Sequence, residues 1–83
     1  MSNTIFRLPA VQAATGYSRS TIYLRIDQGL WTRQVRLGAR CVGWPSQEVA
    51  TLNAARIAGK NDAEIQALVK QLHDQRALSL ATK

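Results

Sequence analysis

The sequence predicts a mainly α-helical domain with one small β-hairpin, completed by an additional helix at its C-terminal end. Three observations predict it. Apolar residues recur at helical spacing in four stretches, each bounded by a glycine or a capping residue. Between the second and third stretch the apolar period shortens to alternation about a glycine, the mark of a hairpin. The 83 residues, 46% of them hydrophobic, suffice for one modest core and no second one.

Ile5-Phe6-Arg7-Leu8 leads into Pro9, whose fixed φ and missing N–H suit the first turn of a helix. Leu8, Val11 and Ala14 recur at helical spacing, and Gly16 closes a helix of about two turns. Ser18 is an N-cap residue type. A second helix over residues 19–28 places Ile22 and Ile26 on one side, and Gly29 supplies a left-handed stop. Gly16-Tyr17-Ser18 is then a short glycine-containing turn between two short helices, the spacing of a helix-turn-helix.

Val35, Leu37, Val42 and Trp44 alternate next. Gly38-Ala39 is the expected two-residue turn, glycine first as type II′ requires, with Arg36 and Arg40 near the tip. Pro45-Ser46 restarts helix, carried by Val49, Leu52 and Ala55 or Arg56 and ended by Gly59. Asn61 and Glu64 stand at capping-box spacing and open a fourth helix over residues 62–75. Residues 79–83 are expected to fray. The expected core comprises Val11, Ala14, Ile22, Ile26, Val35, Leu37, Val42, Trp44, Val49 and Leu52, with Trp31 and Trp44 as its anchors. Helix, tight turn, helix, hairpin, helix is the order of a winged helix-turn-helix. It is assigned to residues 1–58, and residues 59–83 form a C-terminal helical extension.

The charge is lopsided. Eleven Lys and Arg against five Asp and Glu give +6 at neutral pH and a pI near 10.5. Up to Arg56 every basic residue is an arginine (Arg7, Arg19, Arg25, Arg33, Arg36, Arg40, Arg56), opposed only by Asp27 and Glu48. From Ile57 onward Lys60, Lys70, Arg76 and Lys83 are nearly balanced by Asp62, Glu64 and Asp74. Guanidinium presents a planar donor fork that fits phosphate and the guanine edge. A small domain with its cations gathered in this way points to nucleic acid.

The residues also carry a resemblance. Arg7-Leu8-Pro9-Ala10-Val11 followed by Thr15-Gly16-Tyr17-Ser18-Arg19-Ser20-Thr21-Ile22-Tyr23 resembles the opening of the AlpA family of prophage-type regulators. Gly29, Val35-Arg36-Leu37-Gly38, Val42-Gly43-Trp44 and Ser46-Gln47-Glu48-Val49 extend the likeness over roughly residues 5–58. The resemblance implies a MerR-like, excisionase-like winged helix-turn-helix that binds DNA. Such proteins activate or repress phage-type genes, or direct excision by shaping DNA. This chain departs from the pattern at Leu24, where the family commonly has a basic residue, and at Trp31-Thr32, where it often has Phe-Pro.

On this reading double-stranded DNA is the partner, the second helix enters the major groove, and the wing meets adjacent backbone or minor groove. The recognition-helix candidates are Ser18, Arg19, Ser20, Thr21, Tyr23, Arg25 and Gln28; the wing candidates are Arg33, Arg36 and Arg40. Short hydroxyls approach phosphate or base edges closely, helix capping being the other reading of Ser20 and Thr21. Tyr23 offers a hydroxyl to the backbone or a ring to the core. Arg25 lies about 100° round the helix from the family's basic position and either reaches back to the groove or marks a lost contact.

The stripe Ile65, Leu68, Val69, Leu72 must be covered. Folding back on its own domain and self-association both remain open. A homodimer or cooperative assembly would supply interface that one small module lacks. An enzyme is not expected. His73 and Cys41 are the sole residues of their kinds and far apart in sequence, so no Cys/His cluster for zinc exists, and no Gly-rich phosphate loop is present. His73 is read as solvent-facing. No cofactor, metal, small-molecule substrate or membrane partner is expected, and a lone cysteine without a signal sequence points to a cytoplasmic, nucleoid-associated protein. The rivals to a transcriptional regulator are an excision factor that bends attachment-site DNA, a protein-interaction module with a basic docking face, and a binder of structured RNA.

Overall fold

The computed structural model describes residues 4–81. It contains β1 (Ile5–Phe6), α1 (Leu8–Thr15), α2 (Arg19–Asp27), β2 (Val35–Gly38), β3 (Cys41–Pro45), α3 (Ser46–Ile57) and α4 (Asp62–Ala81). Four helices and a small antiparallel sheet are the expected fold class, a winged-helix-like arrangement with a C-terminal helix. The helix ends follow local chemistry. Pro9 lies in the first turn of α1, and Gly16 ends the helix at φ 77° with its N–H on Gln12 O. Gly29 and Gly59, at φ 76° and 84°, follow α2 and α3. The capping box is reciprocal: Glu64 N–H donates to Asn61 Oδ1 at 2.9 Å, and Asn61 N–H to Glu64 Oε1 at 3.0 Å.

The sheet has a third strand that the sequence does not announce. β1 pairs with β3 (Ile5 opposite Pro45, Phe6 opposite Trp44), so β3 lies between β1 and β2. Gly43 makes this possible. A Cβ there would collide with Ile5 Cγ2, and would stand 3.0 Å from Phe6 O and 3.1 Å from Leu37 Cδ1.

The wing register corrects the expected turn. Arg36 faces Val42 and Gly38 faces Cys41, with an irregularity between Arg36 and Gly38 that leaves Leu37 over. The extra residue moves the turn to Ala39-Arg40, and Gly38 keeps a negative φ, which a type II′ turn does not allow at its first position. Alternation is broken at the same point, so Leu37, expected in the core, is 45% exposed. Ala14 is also outside the core; α1 buries only Val11 and meets α3 through Ala14 O, which accepts from Asn53 Nδ2 at 2.9 Å. Ile26, Val35 and Val42 are half-buried at the rim.

One core unites the chain. Val11, Ile22, Trp31, Trp44, Val49 and Leu52 are buried together with Leu30 and with Ile65, Val69 and Leu72 of α4. The α4 stripe is therefore covered by its own domain, with Leu68 packed at the edge, and these four residues are no free face for a second chain. α4 also runs past the expected stop at Gln75 to Ala81, because no glycine or proline interrupts residues 76–81 and Arg76 is anchored on α3. Residues 82–83, the rest of the expected frayed end, lie outside the described residues.

Candidate nucleic-acid interface

The start of α2 gathers three hydroxyls. Ser18 is extended (φ −74°, ψ 165°), and its Oγ accepts the Thr21 N–H at 3.2 Å. The same Oγ donates to Thr21 Oγ1 at 2.9 Å and lies 3.3 Å from Ser20 Oγ. Ser18 is thus the cap, while Ser20 remains exposed beside it. No acidic residue occupies the first turn of α2, and Arg19 stands there with its guanidinium 5.9 Å from the Tyr23 ring centre.

Tyr23 is placed by its ring. It meets Trp44 edge-on at 6.4 Å, which ties α2 to the central strand. Arg25 lies 5.4 Å over Tyr17, and Tyr17 packs edge-on against Trp31 at 6.2 Å. The departure from the family pattern thus leaves Leu24 55% exposed on α2 and Arg25 held on an aromatic face. Gln28 ends the helix. Thr21, Leu24, Arg25 and Gln28 line a shallow groove with Asp62 and Gln66 of α4.

The wing carries Arg36 on β2 and Arg40 in the turn, both exposed. Arg33, also exposed, precedes β2. The α2 residues and the wing residues form two groups, joined through the Tyr23–Trp44 contact and through Trp44 Nε1, which donates to Thr32 O at 2.9 Å. Sequence reasoning missed Arg7, whose Nε donates to Val42 O at 3.1 Å and steadies β3 from α1's side. It also misplaced His73. That ring is half-buried, and its Nε2 accepts the Arg33 N–H at 3.1 Å. Burial, then the nearby Arg33 and Arg76 charges, lower its pKa below the usual histidine value, against the opposing pull of Glu48 and Asp74. The neutral ring is the form that can accept.

Ion pairing divides the charges sharply. Arg76 pairs with Glu48, Arg56 with Asp62 at 3.2 Å, and Lys60 with Glu64 at 3.9 Å. All three pairs lie in α3, α4 and the turn between them. Among the described residues, no ion pair involves Arg19, Arg25, Arg33, Arg36 or Arg40. Among the same residues no group of three or more His, Cys, Asp or Glu gathers, and no helix is long and apolar enough to cross a membrane.

The family model described as Prophage CP4-57 regulatory protein (AlpA) matches residues 4–57, from just before β1 to the last residue of α3. A curated relative, the uncharacterized protein ORF88 of Enterobacteria phage P4, is 46% identical over 54 residues. That alignment covers 65% of this chain and 61% of the relative, so the chain spans less than two thirds of the curated relative it matches. No solved structure matches.

Proposed function

This chain belongs to the AlpA family of prophage regulatory proteins, a family of regulators and not of enzymes, and we propose that it acts as a phage-type transcriptional regulator by binding double-stranded DNA in a sequence-specific way. The observation that carries the reading is the segregation of charge. Three of the five carboxylates are engaged by cations of α3, α4 and their connection, whereas among the described residues the arginines of α2 and the wing are in no ion pair. Arginines left without acidic partners on a small domain are suited to phosphates, whose neutralisation releases counterions and supplies most of the affinity.

The start of α2 supports the same reading. Its amide groups and the helix dipole make that end positive, and Arg19 adds a full charge where the first turn offers no acid. An anion placed there relieves the repulsion. Ser20 and Thr21 reach base edges or phosphate from this turn, Gln28 lies one helix length further along the groove, and Arg36 and Arg40 engage the adjacent backbone or minor groove. Residues 1–58 are then the DNA-binding unit, and residues 59–83 brace it.

Selection of bound duplexes from a random pool, followed by gel shifts of the selected site, a scrambled duplex and the matching single-stranded RNA, tests the proposal. Preferential binding of the selected duplex is expected. Equal retention of RNA, or no enrichment from the pool, overturns it.

A further inference from the structure

We propose that α4 is a clamp that sets where the wing lies relative to α2, acting through Gln66, His73 and Arg76 as positioning residues that do not touch DNA. The inference rests on the DNA-binding reading for its consequence, but the clamp itself is a matter of hydrogen bonds. α2 and the wing are joined by residues 28–34, of which 32–34 have no regular secondary structure. Backbone groups in such a stretch find partners elsewhere or go without. Here α4 supplies partners at both ends.

At the α2 end, Gln66 Nε2 donates to Gln28 O at 3.0 Å, and Gln66 Cγ stands 3.7 Å from where a Cβ of Gly29 would lie. At the wing end, His73 Nε2 accepts the Arg33 N–H at 3.1 Å, and Arg76 Nη2 donates to Arg33 O at 2.8 Å. Arg76 is itself fixed. Its Nε donates to Glu48 Oε2 at 2.7 Å and its Nη2 meets the other carboxylate oxygen, and Glu48 is buried in α3. Both polar groups of the Arg33 peptide backbone are thus held by one helix, and Thr32 O just before them is held by Trp44.

The apolar stripe Ile65, Val69, Leu72 docks α4 on the core and the Arg76–Glu48 pair ties it to α3, so the contacts that Gln66, His73 and Arg76 make with residues 28 and 33 have a task besides holding the helix. Their effect is to fix the distance from the end of the reading helix to the start of the wing. A protein that must meet one groove with α2 and the neighbouring backbone with the wing needs that distance fixed before binding. Where it is not, affinity falls by the fraction of time the two are in register. All three positioning residues lie beyond residue 57, where the family match ends.

The test is the double variant Gln66→Ala/His73→Ala in the full chain, which removes the contact at the α2 end and the acceptor of the Arg33 N–H at the wing end, while Arg76 keeps its pair with Glu48 and its bond to Arg33 O. Four measurements are made: the thermal melt, amide exchange over residues 33–40, affinity for the selected duplex, and the salt slope of that affinity. The proposal expects a folded variant, faster exchange at Arg33 and through the wing, binding about tenfold weaker if the wing is in place about a tenth of the time, and an unchanged salt slope. Parent-like affinity alongside faster exchange overturns it, as does parent-like exchange at Arg33. A changed slope would make α4 part of the DNA contact and overturns it too. Should the double variant fail to melt cooperatively, Gln66→Ala alone, at an exposed side chain, is read by its affinity and salt slope: weaker binding at an unchanged slope supports the clamp, and parent-like affinity or a changed slope overturns it. A parent chain that binds no duplex sinks the DNA reading, while exchange at Arg33 still decides the clamp.

Discussion

Arg40→Ala isolates the electrostatic part of the proposed function. Arg40 lies in the turn at the wing tip, exposed and in no ion pair among the described residues, so its truncation leaves stability within about 0.5 kcal/mol of the parent. If Arg19, Arg25, Arg33, Arg36 and Arg40 each neutralise one phosphate, the logarithmic slope of affinity against salt is about −4.5, at roughly −0.9 per phosphate. Raising salt fourfold then weakens the parent by roughly 500-fold, whereas the variant, with a slope of about −3.6, weakens by roughly 150-fold. Lys60→Ala is the matched control. It removes the same unit of charge from the turn between α3 and α4, where Lys60 faces Glu64, and its slope stays at the parent value. Fluorescence anisotropy of a labelled duplex between about 50 and 200 mM salt resolves these slopes. Identical slopes for parent and Arg40→Ala would refute the phosphate role, and an equal drop in Lys60→Ala would show that net charge alone is at work.

Three further perturbations test the frame that holds these residues. Gly43→Ala sets a methyl group against Ile5 Cγ2 and the Phe6 carbonyl; because one neighbour is backbone, the sheet must shift, and a loss of about 1–3 kcal/mol in denaturant melts is expected, a parent-like midpoint being the contrary result. Arg76→Ala strands the buried Glu48 carboxylate and is expected to cost about 3–5 kcal/mol, most of which the pair Glu48→Leu/Arg76→Met recovers; a single variant as stable as the parent contradicts the buried pair. His73 binds its proton less readily in the folded chain than in the unfolded one, so its contribution to stability is complete above about pH 6.5 and is lost as the pH falls from there through the folded value. Urea melts at pH 7.5 and 5.5 check this, with His73→Gln expected to remove that part of the pH dependence.

Much of the fold was legible because its boundaries are set by single residues acting locally. Pro9, Ser18 and the Asn61–Glu64 pair start helices, and Gly16, Gly29 and Gly59 end them, each through its own backbone or a neighbour within a few positions. The hydroxyl cluster and the arginines were legible for the same reason, as residue types in a short span. What was not legible depends on partners distant in sequence. The wing turn moved by one residue because pairing with β3 admits an extra residue at Leu37. β1, two residues long, leaves no period to read. His73 and Arg76 reach Arg33 across 40 and 43 residues, and no local spacing encodes such a contact.

The first turn of α2 offers a substitution whose effects on stability and on binding should have opposite signs. Ser20 is exposed there, next to the capping Ser18 and Arg19, which is in no ion pair among the described residues, at the positive end of a helix without an acid in its first turn. A carboxylate at this place complements the dipole, so Ser20→Glu is expected to stabilise the free chain by about 0.3–1 kcal/mol. A first turn with a purely structural task would gain that stability and leave duplex binding as it was. If the turn instead faces phosphate, the new carboxylate repels the anion it was meant to receive, and binding weakens although the fold is firmer. Melts and anisotropy on the same variant separate the two. A stabilised variant with undiminished affinity would take the start of α2 away from the DNA.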